Sequence, residues 1–272
     1  MNEAGGTPPF EDRRVIDDGV IEQFRRDGHV VVRGLADPGE VSPLAERLAP
    51  YIEAARARLA PLEQRTTYDK AFLQMFNLWR RDPVFEAFTL GRRFADVAAQ
   101  LLGAPAVRLY HDQALVKEGL GGRTPWHQDQ RYWPLTDSLT ATMWMALVDC
   151  TTEMGTMQFA SGSQRFGDCG PLPISDESEA ALGSLIEREG WGVSEPVPMR
   201  AGDASFHSGW VIHGAPGNAT ATARQAMTVI YVEDGARVTR PDSPERQFDL
   251  AVWLPGLAPG DVVDSPLNPR LG

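Results

Sequence analysis

The chain has 272 residues, of which 42% are hydrophobic and 23% are charged. This composition is that of a folded globular protein and excludes an intrinsically disordered chain of low hydrophobicity. The net charge is −11, from 37 acidic and 26 basic side chains. Such a balance argues against a broad nucleic-acid footprint or a polybasic membrane surface, but it is compatible with a small anion site.

The compartment is indicated by the absence of targeting signals and by the cysteines. No apolar run approaches the roughly 20 residues of a membrane-spanning helix, and the first residues lack the apolar core of a signal peptide. Cys150 and Cys169 fit no zinc-binding spacing, and so few cysteines indicate a reducing compartment. We therefore expect a cytoplasmic protein, and the sequence leaves open whether it is a monomer or a homodimer.

The chain begins with a segment rich in Gly, Pro and charge. We predict a flexible N-terminal tail over residues 1–14 and a single domain over residues 15–272. In the segment DGVIEQFRRDGHVVV, an apolar stripe at helical spacing is followed by Gly28 and a β-branched run. This order predicts a helix over 18–27 that leads directly into a strand.

The remaining pattern separates helices from strands. Two longer helices are predicted at about 38–60 and 84–102, and an acidic helix at about 176–189. After Pro105, short β-branched and aromatic runs separated by Gly, Pro and Asp predict many strands, as in a sandwich or barrel. The last thirty residues are predicted to form an extended tail. The fold class is therefore α+β, with helices packed around a β core.

The segment TPWHQDQ contains an H-x-D triplet. On a regular strand His127 and Asp129 share one face, and Gln128 points to the opposite face. Further along, SFHSGWVIHGAPGN contains His207 and His213, either of which completes a set of two histidines and one carboxylate. Such a set leaves positions open on iron for substrate and dioxygen. By itself the triplet is weak evidence, because most histidines only make ordinary hydrogen bonds.

A basic residue strengthens this interpretation. Arg224 follows His213 by eleven residues, near the start of an apolar strand. A guanidinium is suited to binding a planar carboxylate through two hydrogen bonds. A dicarboxylate that chelates iron at one end needs such an anchor at its other end. Without the histidines, Arg224 would be interpreted as one half of a surface ion pair.

Four segments in order carry a resemblance to a known family. They are FRRDGHVVVRGL, LVKEGLGGRTPWHQDQRYW, TMWMALVDCTTEMGTMQFASGSQ and GDASFHSGWVIHGAPGNATATARQAMTVIY. From about Asp18 to Asp234 the chain resembles the phytanoyl-CoA dioxygenase-like group of Fe(II)/2-oxoglutarate oxygenases, which includes ectoine hydroxylase and antibiotic-tailoring enzymes. The resemblance implies a double-stranded β-helix, a cupin-like jelly roll, with N-terminal helices packed on one sheet.

The resemblance also implies the cofactor and its ligands. His127, Asp129 and His213 would bind Fe(II) as the catalytic metal, with 2-oxoglutarate and O2 as co-substrates. Arg224 would pair with the distal carboxylate of 2-oxoglutarate. The G-A-P-G-N turn after His213 and the spacing from His213 to Arg224 match the family. This match favours His213 over His207 as the third ligand. His207 would then pack in its strand or orient the ligands.

Two further residues fall at positions where the family contacts its co-substrate. Thr142, at the start of TMWMAL, lies where the family often has a hydroxyl that joins the arginine. His111 lies where some members use a glutamine. The alternatives are a threonine that only packs in its strand and a hydrogen-bonded core histidine.

Two departures from the family pattern bear on the chemistry. Gln164 replaces a frequent loop histidine that is not an iron ligand, so iron binding is expected to survive. Asp129 is retained, whereas related halogenases carry a small residue there that opens a coordination site for halide. Halogenation is therefore disfavoured.

The aromatic residues near the proposed ligands are candidates for the substrate pocket. Trp126, Tyr132 and Trp133 flank the H-x-D triplet, and Trp210 precedes His213. We predict that they line the pocket, with burial in the β core as the alternative. The acidic composition and the lack of a phosphate-binding run favour a small free metabolite over a CoA thioester. We expect hydroxylation of an aliphatic C–H in natural-product biosynthesis, as for antibiotics.

Other functions remain open at this stage. The same cofactor chemistry could give ring closure, epimerisation or desaturation, or act on an acyl-CoA. Outside this chemistry, the alternatives are a cupin-like metal-binding module and hydrolysis on zinc with the same ligands. Arg224 discriminates against these last two, because neither needs a carboxylate anchor at that spacing.

Overall fold

The structure, a computed structural model, describes residues 9–136 and 139–272. The helices in these ranges are α1 (Asp18–Asp27), α2 (Pro38–Arg47), α3 (Ala49–Arg56), α4 (Thr67–Ala71), α5 (Pro83–Thr89), α6 (Arg92–Leu102), α7 (Asp176–Glu189) and α8 (Pro244–Trp253). The strands are β1 (His29–Val32), β2 (Leu73–Phe76), β3 (Val107–Lys117), β4 (Thr124–His127), β5 (Thr140–Ala146), β6 (Gln158–Phe159), β7 (Ala204–Ser208), β8 (His213–Ala215), β9 (Arg224–Glu233) and β10 (Arg270–Leu271). In the described ranges, no helix has the length and apolar character needed to cross a membrane.

The strands form two antiparallel sheets. The larger sheet has the order β1-β7-β5-β9-β3-β10, with β2 also paired to β3, and the smaller has the order β4-β8-β6. Side chains alternate along β5, so that Met143 and Met145 join the core packed under the N-terminal helices. Thr142 and Trp144 point to the opposite face and line a cavity. The helices therefore cover one face of the larger sheet and leave its other face for the pocket.

The N-terminal helices agree with the sequence in position but are shorter than predicted. The predicted helix over 18–27 and the strand after it are confirmed, and Gly28 makes the turn between them with a left-handed φ of 79°. The helix predicted over 38–60 is two helices, because Pro50 has no N–H to continue the hydrogen bonds of α2. The helix predicted over 84–102 is broken at Gly91, where a Cβ would stand only 2.7 Å from Cβ of Phe10.

Residues 9–14, the described part of the predicted tail, include a side chain that is buried in the core. Residues 1–8 of the predicted tail lie outside the described residues, but Phe10 is only 2% exposed. Its ring lies 5.6 Å from that of Phe88 and 5.0 Å from that of Phe94. Arg93 donates its backbone N–H to the carbonyl of Phe10 at 2.9 Å and its Nε to Asp12 at 2.7 Å. An aromatic side chain within a polar segment therefore attaches the N-terminus to α5 and α6.

The C-terminal segment also differs from the sequence prediction. The predicted extended tail is wrong, because residues Pro244–Trp253 form α8. Ser243 caps this helix by accepting a hydrogen bond from the N–H of Arg246, and Pro244 occupies its first turn. Trp253 is buried against the larger sheet. Ser243 and Pro244 therefore mark the start of a helix.

A β-bulge in β3 changes which side chains reach the cavity. The pairing of β3 with β9 shifts between Leu109, opposite Tyr231, and His111, opposite Ile230, so Tyr110 is an extra residue. Bulges redirect neighbouring side chains. Tyr110 accordingly joins the cluster on the same side as Ile230, and His111 lines the cavity.

Replacing Phe10 tests the ordered N-terminus. Phe10→Ala is expected to lower the free energy of unfolding by about 3 kcal/mol, because it removes a buried ring from a packed cluster. The measurement is urea denaturation, with Val15→Ala as the control, since Val15 is 83% exposed. A change for Phe10→Ala within about 0.5 kcal/mol, the size expected for a surface site, would contradict this packing.

Candidate functional site

Two short strands of the smaller sheet bring a pair of histidines together. β4 ends at His127, β8 begins at His213, and these two residues are partners in the antiparallel pairing. Asp129 lies two residues beyond β4, where the backbone has turned into a helical conformation. The three side chains offer ligand atoms that all lie within 4.8 Å of one another. Asp129 therefore reaches the histidines through a turn rather than along a regular strand.

The hydrogen bonds of both histidines leave the same nitrogen free. Nδ1 of His127 is 2.8 Å from the carbonyl of Pro125, and Nδ1 of His213 is 3.1 Å from the carbonyl of Val211. A carbonyl oxygen only accepts, so each Nδ1 carries the proton and each Nε2 keeps its lone pair. Both Nε2 atoms lie 3.6 Å from Oδ1 of Asp129. In metal sites, a hydrogen bond from the ring nitrogen that does not bind the metal orients the histidine ligand.

His207 contacts the carboxylate from its other side. Its Nε2 lies 3.2 Å from Oδ2 of Asp129, and the hydroxyl of Thr142 donates to the same oxygen at 3.0 Å. Two donors therefore hold Oδ2, while Oδ1 faces the Nε2 atoms of His127 and His213. His207 is close to the site, with its ring 4.3 Å from that of His213, but its bonded nitrogen serves Asp129.

Burial and mutual proximity set the protonation of the three groups. Burial lowers the pKa of His127 to about 4, assisted by the neighbouring His213. Burial, with His207 nearby, likewise lowers the pKa of His213 to about 4. For Asp129 burial acts to raise the pKa, but His213 and His207 outweigh it and hold the pKa well below its usual range. At neutral pH the site thus has two neutral imidazoles and a carboxylate, which is the state that binds a divalent cation.

Arg224 lies at the start of β9 and is only 2% exposed. Its guanidinium lies 5.1 Å above the ring of Trp144 and donates to the carbonyl of Gly155. Its Nε is buried and has no hydrogen-bond partner among the described residues. Arg224 lines the same cavity as His127, Asp129 and His213. It therefore offers an unused donor to the cavity.

A buried lysine lies beside Arg224. Lys117 is its pairing partner on β3 and is fully buried. Its Nζ donates to the carbonyl of Gly122 at 2.5 Å and to Oγ1 of Thr124 at 3.3 Å. Burial, with Arg224 nearby, lowers the pKa of Lys117 to about 6, so its amine is mostly neutral at pH 7. Arg224 is therefore the charge that makes this end of the cavity complementary to an anion.

The cavity has a volume of about 180 Å³ and includes most of the predicted site residues. Besides the three candidate ligands and Arg224, its lining contains His111, Tyr132, Trp133 and Thr142. Thr142 is not beside Arg224, however. It pairs with Ile230, six residues further along β9, a separation of about 20 Å. Its observed partner is Asp129, so the contact implied for it with the arginine is not formed.

Two of the predicted aromatic residues lie elsewhere. Trp126 alternates with His127 along β4 and packs with α7 on the far side of the smaller sheet. Trp210 lines a separate surface depression next to Phe24 and Leu139. Gln128 points away from the site as predicted, and its amide donates to the carbonyls of Gly167 and Trp210 at 2.8 and 2.6 Å.

Several wall residues have no counterpart in the sequence predictions. They come from α4, β2 and α8, and they are Tyr68, Gln74, Phe76, Phe248, Asp249 and Trp253. The spacing of the last three fits one helix face, and the capping Ser243 before Pro244 was the signal that could have revealed it. A wall contributed by the C-terminal helix closes the side of the cavity opposite the smaller sheet.

The pH dependence of stability tests the burial of Lys117. Between its folded pKa of about 6 and its ordinary value of 10.5, the unfolded chain holds a proton that the native state lacks. The native state is therefore penalised most at low pH and is relieved as pH rises. Relative to Lys117→Met, wild type should gain up to about 1.4 kcal/mol of unfolding free energy per pH unit.

Urea denaturation of both proteins at about pH 7, 8 and 9 measures this slope. Lys70→Met, which replaces the other lysine of the chain, is the matched control. A difference between wild type and Lys117→Met that does not change with pH would contradict a neutral buried lysine.

Comparison with known proteins identifies the family. The non-heme alpha-ketoglutarate-dependent carbocyclase SnoK from nogalamycin biosynthesis is similar in structure, with a TM-score of 0.75 and 23% identity over 98% of this chain and 100% of its own. The epimerase SnoN from the same biosynthesis is also alpha-ketoglutarate dependent. It has a TM-score of 0.71 and 26% identity, and the match covers 94% of this chain and 98% of the epimerase. The multifunctional dioxygenase ausE of Aspergillus calidoustus is 25% identical over 258 residues, 88% of this chain and 78% of its own.

The family model of phytanoyl-CoA dioxygenase (PhyH) matches residues 24–226. This range includes all three candidate ligands and Arg224. The resemblance inferred from the four sequence segments is thereby confirmed, and the chain belongs to the phytanoyl-CoA dioxygenase (PhyH) family of dioxygenases.

Proposed function

We propose that the chain is an Fe(II)- and 2-oxoglutarate-dependent oxygenase that hydroxylates an aliphatic C–H of a small metabolite in natural-product biosynthesis. One observation carries the proposal: two neutral imidazoles and a carboxylate converge in the same cavity as a buried guanidinium that has no carboxylate partner among the described residues. The alpha-ketoglutarate dependence named for the similar epimerase supports it. A metal site and a carboxylate site in one cavity are what this chemistry requires.

The three side chains fit Fe(II) by their donor types. Nε2 of His127, Nε2 of His213 and Oδ1 of Asp129 would bind it, in the two-histidine, one-carboxylate set typical of such iron sites. Thr142 and His207 hold the other oxygen of Asp129, which keeps Oδ1 directed at the metal. When bound with 2-oxoglutarate and O2, the iron supplies C–H oxidation, with release of succinate and CO2.

Arg224 would hold the distal carboxylate of 2-oxoglutarate. Trp144 fixes the plane of its guanidinium and Gly155 takes one of its donors, so the remaining donors are oriented before the ligand arrives. Thr124 would supply a hydroxyl. Its Oγ1 accepts from Lys117, so its own proton is available to a carboxylate, and both Thr124 and Arg224 line the cavity. Thr124, rather than Thr142, is the threonine suited to this role.

The cavity walls favour a compact substrate with apolar carbon. Tyr132 and Trp133 form part of an aromatic wall beside Asp129, which excludes water around the reacting carbon. Arg224 is the one arginine or lysine in the described lining, so the walls offer little to the phosphates of an acyl-CoA. A cupin-like binding module and an enzyme that catalyses hydrolysis on zinc would both have no use for the carboxylate anchor Arg224, so Arg224 favours the oxygenase over both alternatives.

We also propose that the two sheets are the halves of a double-stranded β-helix. The support is their antiparallel pairing and the division of the site between them, with the histidine partners on the smaller sheet and Arg224 on the larger. A second candidate reaction is epimerisation or ring closure, favoured by the similarity to the epimerase SnoN at 26% identity. It needs the same metal and co-substrate residues, and the position of the substrate radical would decide the product.

The choice of the third ligand is tested under anaerobic conditions. Fe(II) and 2-oxoglutarate added to wild type should give the weak visible charge-transfer band of the chelate. His213→Ala should lose the band, because a metal donor is removed. His207→Ala should keep it, because only a hydrogen bond to Asp129 is lost. The opposite pattern would move the third ligand to His207, and no band in wild type would contradict the proposed function.

The co-substrate anchor is tested by the affinity for 2-oxoglutarate. Arg224→Ala should weaken binding by about 100-fold, since charge-assisted hydrogen bonds in a buried site are lost. Calorimetric titration of the metal-loaded protein measures the Kd, with Arg123→Ala as the control because that arginine is half-exposed and paired with Asp176. An unchanged Kd for Arg224→Ala would remove its assigned role.

A further inference from the structure

We propose that the cavity contains a site for one organic cation, an ammonium group of the substrate, with Asp249 as its counter-ion. This inference deepens the proposed function and rests on it, since it names the class of metabolite that the oxygenase takes. The carboxylate of Asp249 has no role in the proposed binding of the metal or of 2-oxoglutarate.

Asp249 is a buried carboxylate in the cavity wall. It lies on α8, is 8% exposed and lines the same cavity as Asp129. The hydroxyl of Tyr110 donates to its Oδ2 at 3.0 Å, and this donor fixes the direction of the carboxylate. Burial raises the pKa of Asp249 to about 7, although the hydrogen bond from Tyr110 acts in the opposite direction.

No cation among the described residues forms an ion pair with Asp249. Arg246, one turn earlier on the same helix, pairs instead with Asp242 at 3.0 Å. His111 is close by, but burial lowers its pKa to about 4, so it brings no positive charge. A buried carboxylate without a cation is unfavourable, and binding a cation from the cavity would remove that cost.

The surroundings of Asp249 are those of a cation site. The centroid of the Trp253 ring lies 5.0 Å from that of Phe76 and 6.3 Å from that of Phe248, and all three line the cavity. Aromatic faces attract ammonium groups, and the attraction is strongest where water is excluded. A carboxylate that shares a cavity lining with aromatic rings therefore favours a cation over a neutral group of the same shape.

The charges of the loaded cavity support the same class of ligand. A divalent iron and a doubly charged 2-oxoglutarate cancel, and the lining carboxylate Asp129 cancels Arg224. Among the described lining residues, Asp249 then remains as the one acidic side chain without a compensating cation. A substrate with one positive charge would bring the filled cavity to neutrality, which is favourable at low dielectric.

The cation site and the co-substrate anchor are far apart. Tyr110, which holds Asp249, and Lys117, which lies beside Arg224, are seven residues apart on β3, a separation of about 20 Å. The bulge at Tyr110 is what turns its hydroxyl towards α8. His111 also belongs to this end, with its ring 5.0 Å from that of Trp253. We therefore place His111 at the substrate end of the cavity.

The test compares two probes of the same shape and different charge. Choline and its uncharged analogue 3,3-dimethylbutan-1-ol are titrated into the protein, with and without Fe(II) and 2-oxoglutarate under anaerobic conditions. Calorimetry gives the two dissociation constants. Choline should bind at least about tenfold tighter than the alcohol. Choline binding no tighter than the alcohol, including no binding of either, would overturn the proposal on wild type alone.

Two variants test whether Asp249 is the carboxylate that causes the preference for choline over the uncharged alcohol. Asp249→Asn should abolish the preference for choline, whereas Asp242→Asn, which removes the same charge from an exposed site next to α8, should keep it. A preference that persists in Asp249→Asn would contradict the assignment.

The charge-transfer band separates this inference from the proposed function. Asp249→Asn should retain the band with Fe(II) and 2-oxoglutarate, because it removes no metal or co-substrate contact. If wild type shows the band without a preference for choline, the cation site is wrong and the oxygenase stands. If wild type lacks the band, the proposed function fails, whatever the probes do.

Discussion

The carboxylate of Asp129 is the point on which the site depends. It lies between the two sheets with its side chain 22% exposed, and its two oxygens have different partners: Oδ2 accepts from Thr142 and His207, and Oδ1 faces the Nε2 atoms of His127 and His213. Removing an anion from water is costly unless donors and cations compensate it. Here Thr142 and His207, both on the larger sheet, supply the donors, and the side towards the smaller sheet is left for a cation. The packing of one sheet on the other thus leaves Oδ1 of Asp129 without a compensating cation, which favours binding of a metal ion there.

The same principle orders the rest of the cavity. Arg224 and Asp249 are buried charges of opposite sign, and neither has a protein partner of opposite charge in the described ranges. They are kept apart by the length of β3, with the three candidate ligands bordering the same cavity. Unpaired charges in a cavity are stabilised when ligands of opposite charge bind, so their signs indicate the charge of those ligands. A dianion at one end and a cation at the other would complete the set.

Local sequence signals predicted the elements that depend on local chemistry. The acidic helix predicted over 176–189 is α7, because Ser175 caps it and Gly190 ends it in a left-handed conformation. The convergence of His127, Asp129 and His213 could be anticipated because the H-x-D triplet and the turn after His213 lie in short segments with few conformations. The positions of Trp126, Trp210 and Thr142 were not, because they depend on strand register and on where β4 ends. A bulge such as that at Tyr110 arises from long-range pairing, which sequence alternation alone does not reveal.

The most direct measurement of the central claim is an anaerobic crystal structure with Mn(II), as an oxygen-inert substitute for Fe(II), and 2-oxoglutarate. The account predicts Mn(II) bound to Nε2 of His127, Nε2 of His213 and Oδ1 of Asp129, with the distal carboxylate of 2-oxoglutarate on Arg224. A metal bound through His207, or a co-substrate whose distal carboxylate lies away from Arg224, would contradict it.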